Sequence, residues 1–243
     1  MSHKVAICQP HYIPWIGYLE MIDRVDEFVF LDDVDVIQRE WKTRNRIRKE
    51  CTSSDTKWLS VPIVRECRRK TPLAEALIGG DGTWRKKHLD ALRTVYHGAP
   101  CFEDAERILI EGFSRESKTI ADLNITLVEG LCEYLGITTP MRRATEIPTT
   151  GHKTEKLLAI CERVGADDYL ANNGSSDYLD VSRFEEQGIH VQYQDYEHPT
   201  YSQFAGREEL PFVSHLSILD LIANHGDESL ELIRQGRPTT ASR

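Results

Sequence analysis

Apolar residues change their spacing several times along the chain, and each change predicts an element. The run Val5–Cys8 makes Lys4–Cys8 a first strand. Gln9–Gly17 follows as a loop, because Pro10 and Pro14 lack backbone donors and push the residues before them into extended conformations. Ile16, Leu19 and Ile22 recur at helical spacing and predict a helix from Trp15 or Ile16 to about Val25. Glu27–Leu31 is a second strand, whereas Val36–Glu50 fits a helix or a loop. Trp58–Val64 (WLSVPIV) alternates and then runs apolar, a third strand that Pro62 marks as an edge or a bulge.

The middle is helical. Thr83–Tyr96 and Asp104–Leu135 carry apolar stripes such as Leu123/Leu127/Leu131/Tyr134, with Gly136 as a stop signal. Alternation returns afterwards, with strands at Pro140–Ile147, Asp168–Ala171 and Ile189–Tyr196. Between and after them lie helices at Lys153–Val164, closed by Gly165, at Val181–Gln187 and at Ser217–Ala223. This rhythm predicts an α/β fold: a mostly parallel, Rossmann-like sheet of about five to six strands, with helices on both faces and a helical insertion at about 83–136. Residues 1–235 read as a single domain, and 236–243 as a frayed tail.

Composition narrows the function classes. An apolar share of 40% and a charged share of 28% are those of a soluble globular chain. A net charge of −9 argues against non-specific binding to DNA or to a membrane surface. The six cysteines are scattered without a Cys-x-x-Cys pair, so neither a zinc ribbon nor a redox motif is suggested. The polar Met-Ser-His-Lys start is no signal peptide, and no apolar segment approaches membrane-spanning length, so a cytoplasmic location is expected.

Polar residues gather where the first two strands end. Asp32-Asp33 could hold Mg²⁺ through a substrate phosphate or supply a general base; alternatively they cap a turn. Arg44, Asn45 and Arg46 nearby suit a phosphorylated or carboxylated ligand. Gln9, His11, Tyr12, Trp15 and Tyr18 could form an aromatic wall for a sugar or base, with His11 as a candidate base; Trp15 and Tyr18 could equally be packing residues. Lys153, ahead of a helix, and Asn172–Asp177, after a strand, could frame the other half of a site, with Gly174, Ser175 and Ser176 offering backbone donors. His198 and Tyr201 make a third polar-aromatic spot, and Trp41 flanks the basic cluster. No Gly-x-Ser-x-Gly elbow supports a serine nucleophile. The spacing Gln-Pro-x-x-x-Pro-x-x-Gly-Tyr after an opening strand is similar to the HIGH-type loop of nucleotidylyltransferases, with Tyr18 in place of the final His.

These residues together resemble the WbqC-like family of bacterial proteins. The likeness rests on A-I-x-Q-P-x-Y-x-P-W-x-G-Y (Ala6 to Tyr18), F-V-x-x-D-D-V (Phe28 to Val34), W-x-x-R-N-x-I (Trp41 to Ile47) and W-L-x-V-P (Trp58 to Pro62). G-A-D-x-Y-L (Gly165 to Leu170), D-Y-L (Asp177 to Leu179) and L-S-I-L-D-L (Leu216 to Leu221) complete it, so it covers nearly the whole chain. The chain departs from the pattern at Asp35, where Gln is usual, at Thr43, where Asn is usual, and at Asn172–Ser176, where the family loop is Gly-rich with a lysine.

What the resemblance implies is a role around O-antigen and other surface polysaccharides, as a glycine or other aminoacyl or acyl transferase acting on an amino sugar. On that reading the partners are small molecules: an activated acyl or aminoacyl donor, with aminoacyl-tRNA still open, and an amine acceptor such as a sugar nucleotide. Gln9, Tyr12 and Trp15 would shape the acceptor pocket, Asp32 or Asp33 would take the amine proton, and Arg44 and Asn45 would hold the donor's anionic part. Tyr18, Trp41, Lys153, Ser175, Asp177 and His198 complete the candidate substrate-binding set. No cofactor is fixed by these residues; Mg²⁺ at the carboxylate pair and ATP are the candidates. The alternatives are a HIGH-like nucleotidyl- or adenylyl-transferring enzyme and a non-catalytic partner in a biosynthetic complex.

Overall fold

Each of the central strands alternates its side chains between two apolar clusters, which fixes where the sheet sits. The computed structural model describes residues 2–50, 54–68, 70–205 and 208–238. In chain order the first elements are β1 (Lys4–Cys8), α1 (Ile16–Asp23), β2 (Glu27–Phe30), β3 (Arg44–Arg48), β4 (Thr56–Ser60), α2 (Thr83–Tyr96), α3 (Phe102–Ser114) and α4 (Ile120–Leu135). Then come β5 (Met141–Arg143), α5 (Thr154–Val164), β6 (Asp168–Ala171), α6 (Val181–Glu185), β7 (His190–Tyr193), β8 (Gln203–Ala205), β9 (Glu208–Leu210), α7 (Ile218–His225) and α8 (Ser229–Gln235).

The main sheet has five parallel strands in the order β5-β2-β1-β6-β7, a Rossmann-like arrangement. Ala6, Phe28, Phe30 and Leu170 point to the face covered by α1, α4 and α7. Val5, Ile7, Val29, Tyr169 and Ala171 point to the opposite face, under α5 and α6. The change of face follows from topology. The chain leaves β1 towards β2, then crosses from edge strand β5 back over β1 to reach β6. Right-handed crossovers running in opposite directions put their helices on opposite faces.

Several boundaries differ from those the sequence predicts. Val36–Glu50 contains neither the helix nor only the loop expected there: Arg44–Arg48 is a strand, paired antiparallel with Thr56–Ser60. The expected third strand at Trp58–Val64 is therefore part of a separate hairpin, and it ends before Pro62. The period-two signal was hidden because the inward positions are Asn45 and Ile47, and only one of them is apolar. Asp104–Leu135 divides into α3 and α4, where Thr119 and Asp122 form a reciprocal capping box. The strand expected at Pro140–Ile147 spans only Met141–Arg143. Of the expected tail, Gly236 accepts from the Glu197 N–H at 2.9 Å and Arg237 bonds Glu20 at 3.1 Å; residues 239–243 lie outside the described residues.

The insertion between β2 and β5 does more than fill sequence. The proline-containing loop after β1 is buried, and a buried backbone needs partners. Buried Asn45, on β3, donates to the Tyr12 and Ile13 carbonyls at 3.2 and 2.9 Å. Buried Asn124, on α4, donates to the Pro10 and Lys42 carbonyls at 2.8 Å each. The Tyr12 N–H reaches the Trp41 carbonyl at 2.9 Å, and the Ile218 N–H reaches the Pro14 carbonyl at 2.7 Å. The clamp holds Ile13 at φ +35, a strained backbone for a β-branched residue.

Replacing Asn45 by Ala leaves two buried carbonyls unpaired and should cost about 2–4 kcal/mol, read as a lower urea midpoint at constant slope. Asn45→Asp should cost more, since a carboxylate cannot donate and is buried beside carbonyl oxygens. Equal stability of both variants to the native chain would show that the loop holds its shape without this clamp.

Candidate functional site

β1 and β6 lie side by side, but their outgoing chains diverge, towards β2 from one and towards β7 from the other. Their carboxyl ends therefore flank an uncovered crevice, the usual ligand position in open α/β sheets. A cleft of about 860 Å³ opens at this point. Cys8 and Gln9 form its floor, with Tyr169; His11, Trp15, Gly17 and Tyr18 form one wall. Glu40, Trp41 and Lys42 come from the segment before β3, Asn172, Asn173, Gly174 and Tyr178 from the chain after β6, and Gln194, Tyr196 and His215 from the last third.

Five of the residues singled out from sequence, Gln9, His11, Trp15, Tyr18 and Trp41, line this cleft together. The Tyr18 hydroxyl donates to the Gln9 carbonyl at 3.0 Å, and the Gln9 side chain makes no hydrogen bond among the described residues. Trp15 stacks on His215 at 5.3 Å and on His198 at 6.1 Å, so His198 lies behind the wall. Gly17 allows this: a Cβ there would run into the Trp15 indole.

Asn172, Asn173 and Gly174, expected to frame its other half, line it too, whereas the remaining candidates do not. Asp32 is fully buried; it accepts from Arg143 Nε at 2.7 Å and from the Thr145 N–H and hydroxyl at 3.0 Å each, tying β2 to the turn after β5. Asp33 is ion-paired with the buried Lys156 of α5. Tyr12 is buried, its hydroxyl 2.8 Å from His88 Nδ1, and Asn45 is committed to the loop backbone. Ser175 is buried and donates to the Asn172 carbonyl at 2.7 Å. Lys153 and Asp177 are exposed, and Arg44 sits on the outer face of the hairpin against Trp58.

Lys42, Glu40, Gln194 and His215 are the main lining residues that the sequence reading left out of the site. Lys42 is 6% exposed and paired with Glu40, the one carboxylate among the described lining residues. Its WKT context reads as surface, and only the fold turns it inward. Burial, followed by the Lys42 charge, pushes the His11 imidazole down to about 3. His11 Nδ1 is buried without a hydrogen-bond partner among the described residues. A bare acceptor is less costly there than an orphaned N–H, which favours the tautomer with its proton on Nε2. His11 is thus a neutral donor rather than a base. Burial drives the Cys8 thiol up to about 12 against the pull of Lys42, so Cys8 is not a thiolate nucleophile. Among the described residues no group of three or more His, Cys, Asp or Glu side chains could hold a metal ion, and no helix is long and apolar enough to cross a membrane.

The arrangement is that of a Rossmann-like α/β protein with an aromatic, amide-rich cleft at the reversal of its strand order. The chain belongs to the WbqC-like protein family, which matches residues 9–232. It is 36% identical over 237 residues to the uncharacterized protein Rv1507c of Mycobacterium tuberculosis, covering 96% of this chain and 99% of that one. No solved structure matches it.

His88 is also lowered by burial, to about 4. Both imidazoles stay neutral in the folded protein while the unfolded chain takes up protons near 6.5, so stability should hold above about pH 7 and fall as pH drops towards 4. His11→Asn should flatten part of that slope in urea titrations between pH 4 and 7. An unchanged slope would mean that the native cleft protonates His11 freely.

Proposed function

We propose that this cleft transfers an acyl or aminoacyl group to the amine of an amino sugar. The observation that carries the reading is a buried cation and a neutral imidazole donor sharing one cavity with aromatic walls and side-chain amides. Indole and phenol rings at Trp41, Tyr178 and Tyr196 suit a sugar ring, and Gln9, Asn172 and Asn173 suit its hydroxyls. The amine nitrogen attacks the donor's acyl carbon, a new C–N bond forms, and the donor's C–O or C–S bond breaks. His11 Nε2–H and Lys42 stabilise the developing oxyanion. Glu40 takes the amine proton and passes it to the leaving group. Asp32 and Asp33 act at a distance, by holding the ends of β2 and α5 in place.

Two observations weigh against the other readings. A HIGH-like phosphate role would need open space over Gly17, and the Trp15 indole occupies it. A pure scaffold has no use for a cleft around Gln9 lined by a buried lysine.

With an amino sugar and a glycyl or acyl thioester, His11→Ala should lower kcat by about 10²–10³-fold with little change in KM, as expected for a lost oxyanion donor. Glu40→Gln should lower kcat with little change in KM. Full activity in both His11→Ala and Lys42→Met would remove this assignment. Failure of any amino sugar to raise the melting temperature would remove the substrate class.

A further inference from the structure

The outer face of the β3–β4 hairpin carries chemistry that the cleft mechanism does not use. Asn45, Ile47 and Leu59 point inward and are buried, so Arg44, Arg46 and Trp58 project from the other side. Trp58 keeps 40% and Trp41 39% of its surface exposed, with ring centroids 5.5 Å apart. The Arg44 guanidinium lies 4.0 Å from the Trp58 ring centroid, and its Nε is buried without a hydrogen-bond partner among the described residues. Arg46 donates to the His215 carbonyl at 3.0 Å. Neither arginine pairs with a carboxylate among the described residues, on a chain of net charge −9. Trp41 and His215 also line the cleft, so the two surfaces are continuous.

We propose that this platform binds the nucleoside diphosphate end of a nucleotide-linked sugar whose sugar lies in the cleft. The inference deepens the amino-sugar reading and rests on it. The base stacks on the exposed indoles and Arg44 and Arg46 bond the phosphates, a pairing of planar donors with anionic oxygens. Two uncompensated guanidinium groups match the charge of one diphosphate. A long polyanion such as RNA would meet the chain's overall negative charge.

Isothermal titration calorimetry with uridine and guanosine 5′-diphosphate tests the proposal on the full chain, with inorganic pyrophosphate and a short RNA ending in CCA as comparisons. Saturable binding is expected, weakened by salt and reduced about tenfold or more in Trp58→Ala and in Arg44→Gln. Trp58→Phe should retain most of it, which separates a lost stack from a disturbed fold. Affinity unchanged in Trp58→Ala and Arg44→Gln would overturn the proposal. So would pyrophosphate binding as tightly as the nucleotides, or the RNA binding more tightly than either at the same residues. An amino sugar that still stabilises the protein while no nucleotide binds would sink the platform and leave the cleft reading standing. Nucleotide binding without amine acylation would do the reverse.

Discussion

The site depends on how a buried, proline-containing loop satisfies its own backbone. Gln9–Pro14 leaves β1 at the centre of the sheet and cannot pair as a strand, because Pro10 and Pro14 lack donors. Its carbonyls are met by the side-chain amides of Asn45 and Asn124, by the Tyr18 hydroxyl and by the Ile218 N–H. These groups come from a hairpin, the inserted helices, α1 and α7, so distant parts of the chain converge on one short segment. Burying the loop without them would leave several carbonyls unpaired, at about 1–3 kcal/mol each. The insertion is therefore part of the cleft's construction rather than an appendage to the sheet.

The same convergence explains the cleft's electrostatics. Asn124 also grips the Lys42 carbonyl, which fixes the segment carrying Lys42 and Glu40 against the loop carrying His11. The lysine so held pairs with Glu40, and its charge adds to burial in depressing the neighbouring imidazole. A neutral histidine and a buried cation can then face the same ligand oxygen. Were His11 protonated, two positive groups would compete for that space. Such a fixed pair of donors is costly to hold, and the strain at Ile13 lies in the same loop.

The Rossmann-like sheet was readable because its strands carry apolar residues on both faces and end at clear turn signals. Asp168–Ala171 and the αL glycine after Val164 appear where the pattern puts them. The cleft's first wall was readable for a related reason: aromatics dense in a loop between prolines have few other places to go. Lys42 was not, because nothing local separates an inward lysine from a solvated one; Asn124 inside α4 decides it. β8, β9 and α8 escaped because segments of three to seven residues give too few periods to register.

Asp32-Asp33 shows how a polar signal at a strand end can be real and yet concern architecture. A carboxylate pair after a central strand has the composition of a catalytic or metal site. Here, however, neither acid lines the cleft, and each pairs with a cation on a different element: Arg143 at the end of β5 and Lys156 on α5. Both elements must be placed correctly for the crossover that carries the chain over β1 to reach β6. That crossover creates the strand reversal, and the reversal opens the cleft. Removing one partner of such a buried pair leaves a charge uncompensated and typically costs about 3–5 kcal/mol, more than most surface contacts. The aspartates therefore shape the cleft through the path of the chain, and the polar groups that line it are others: Glu40, Lys42 and His11.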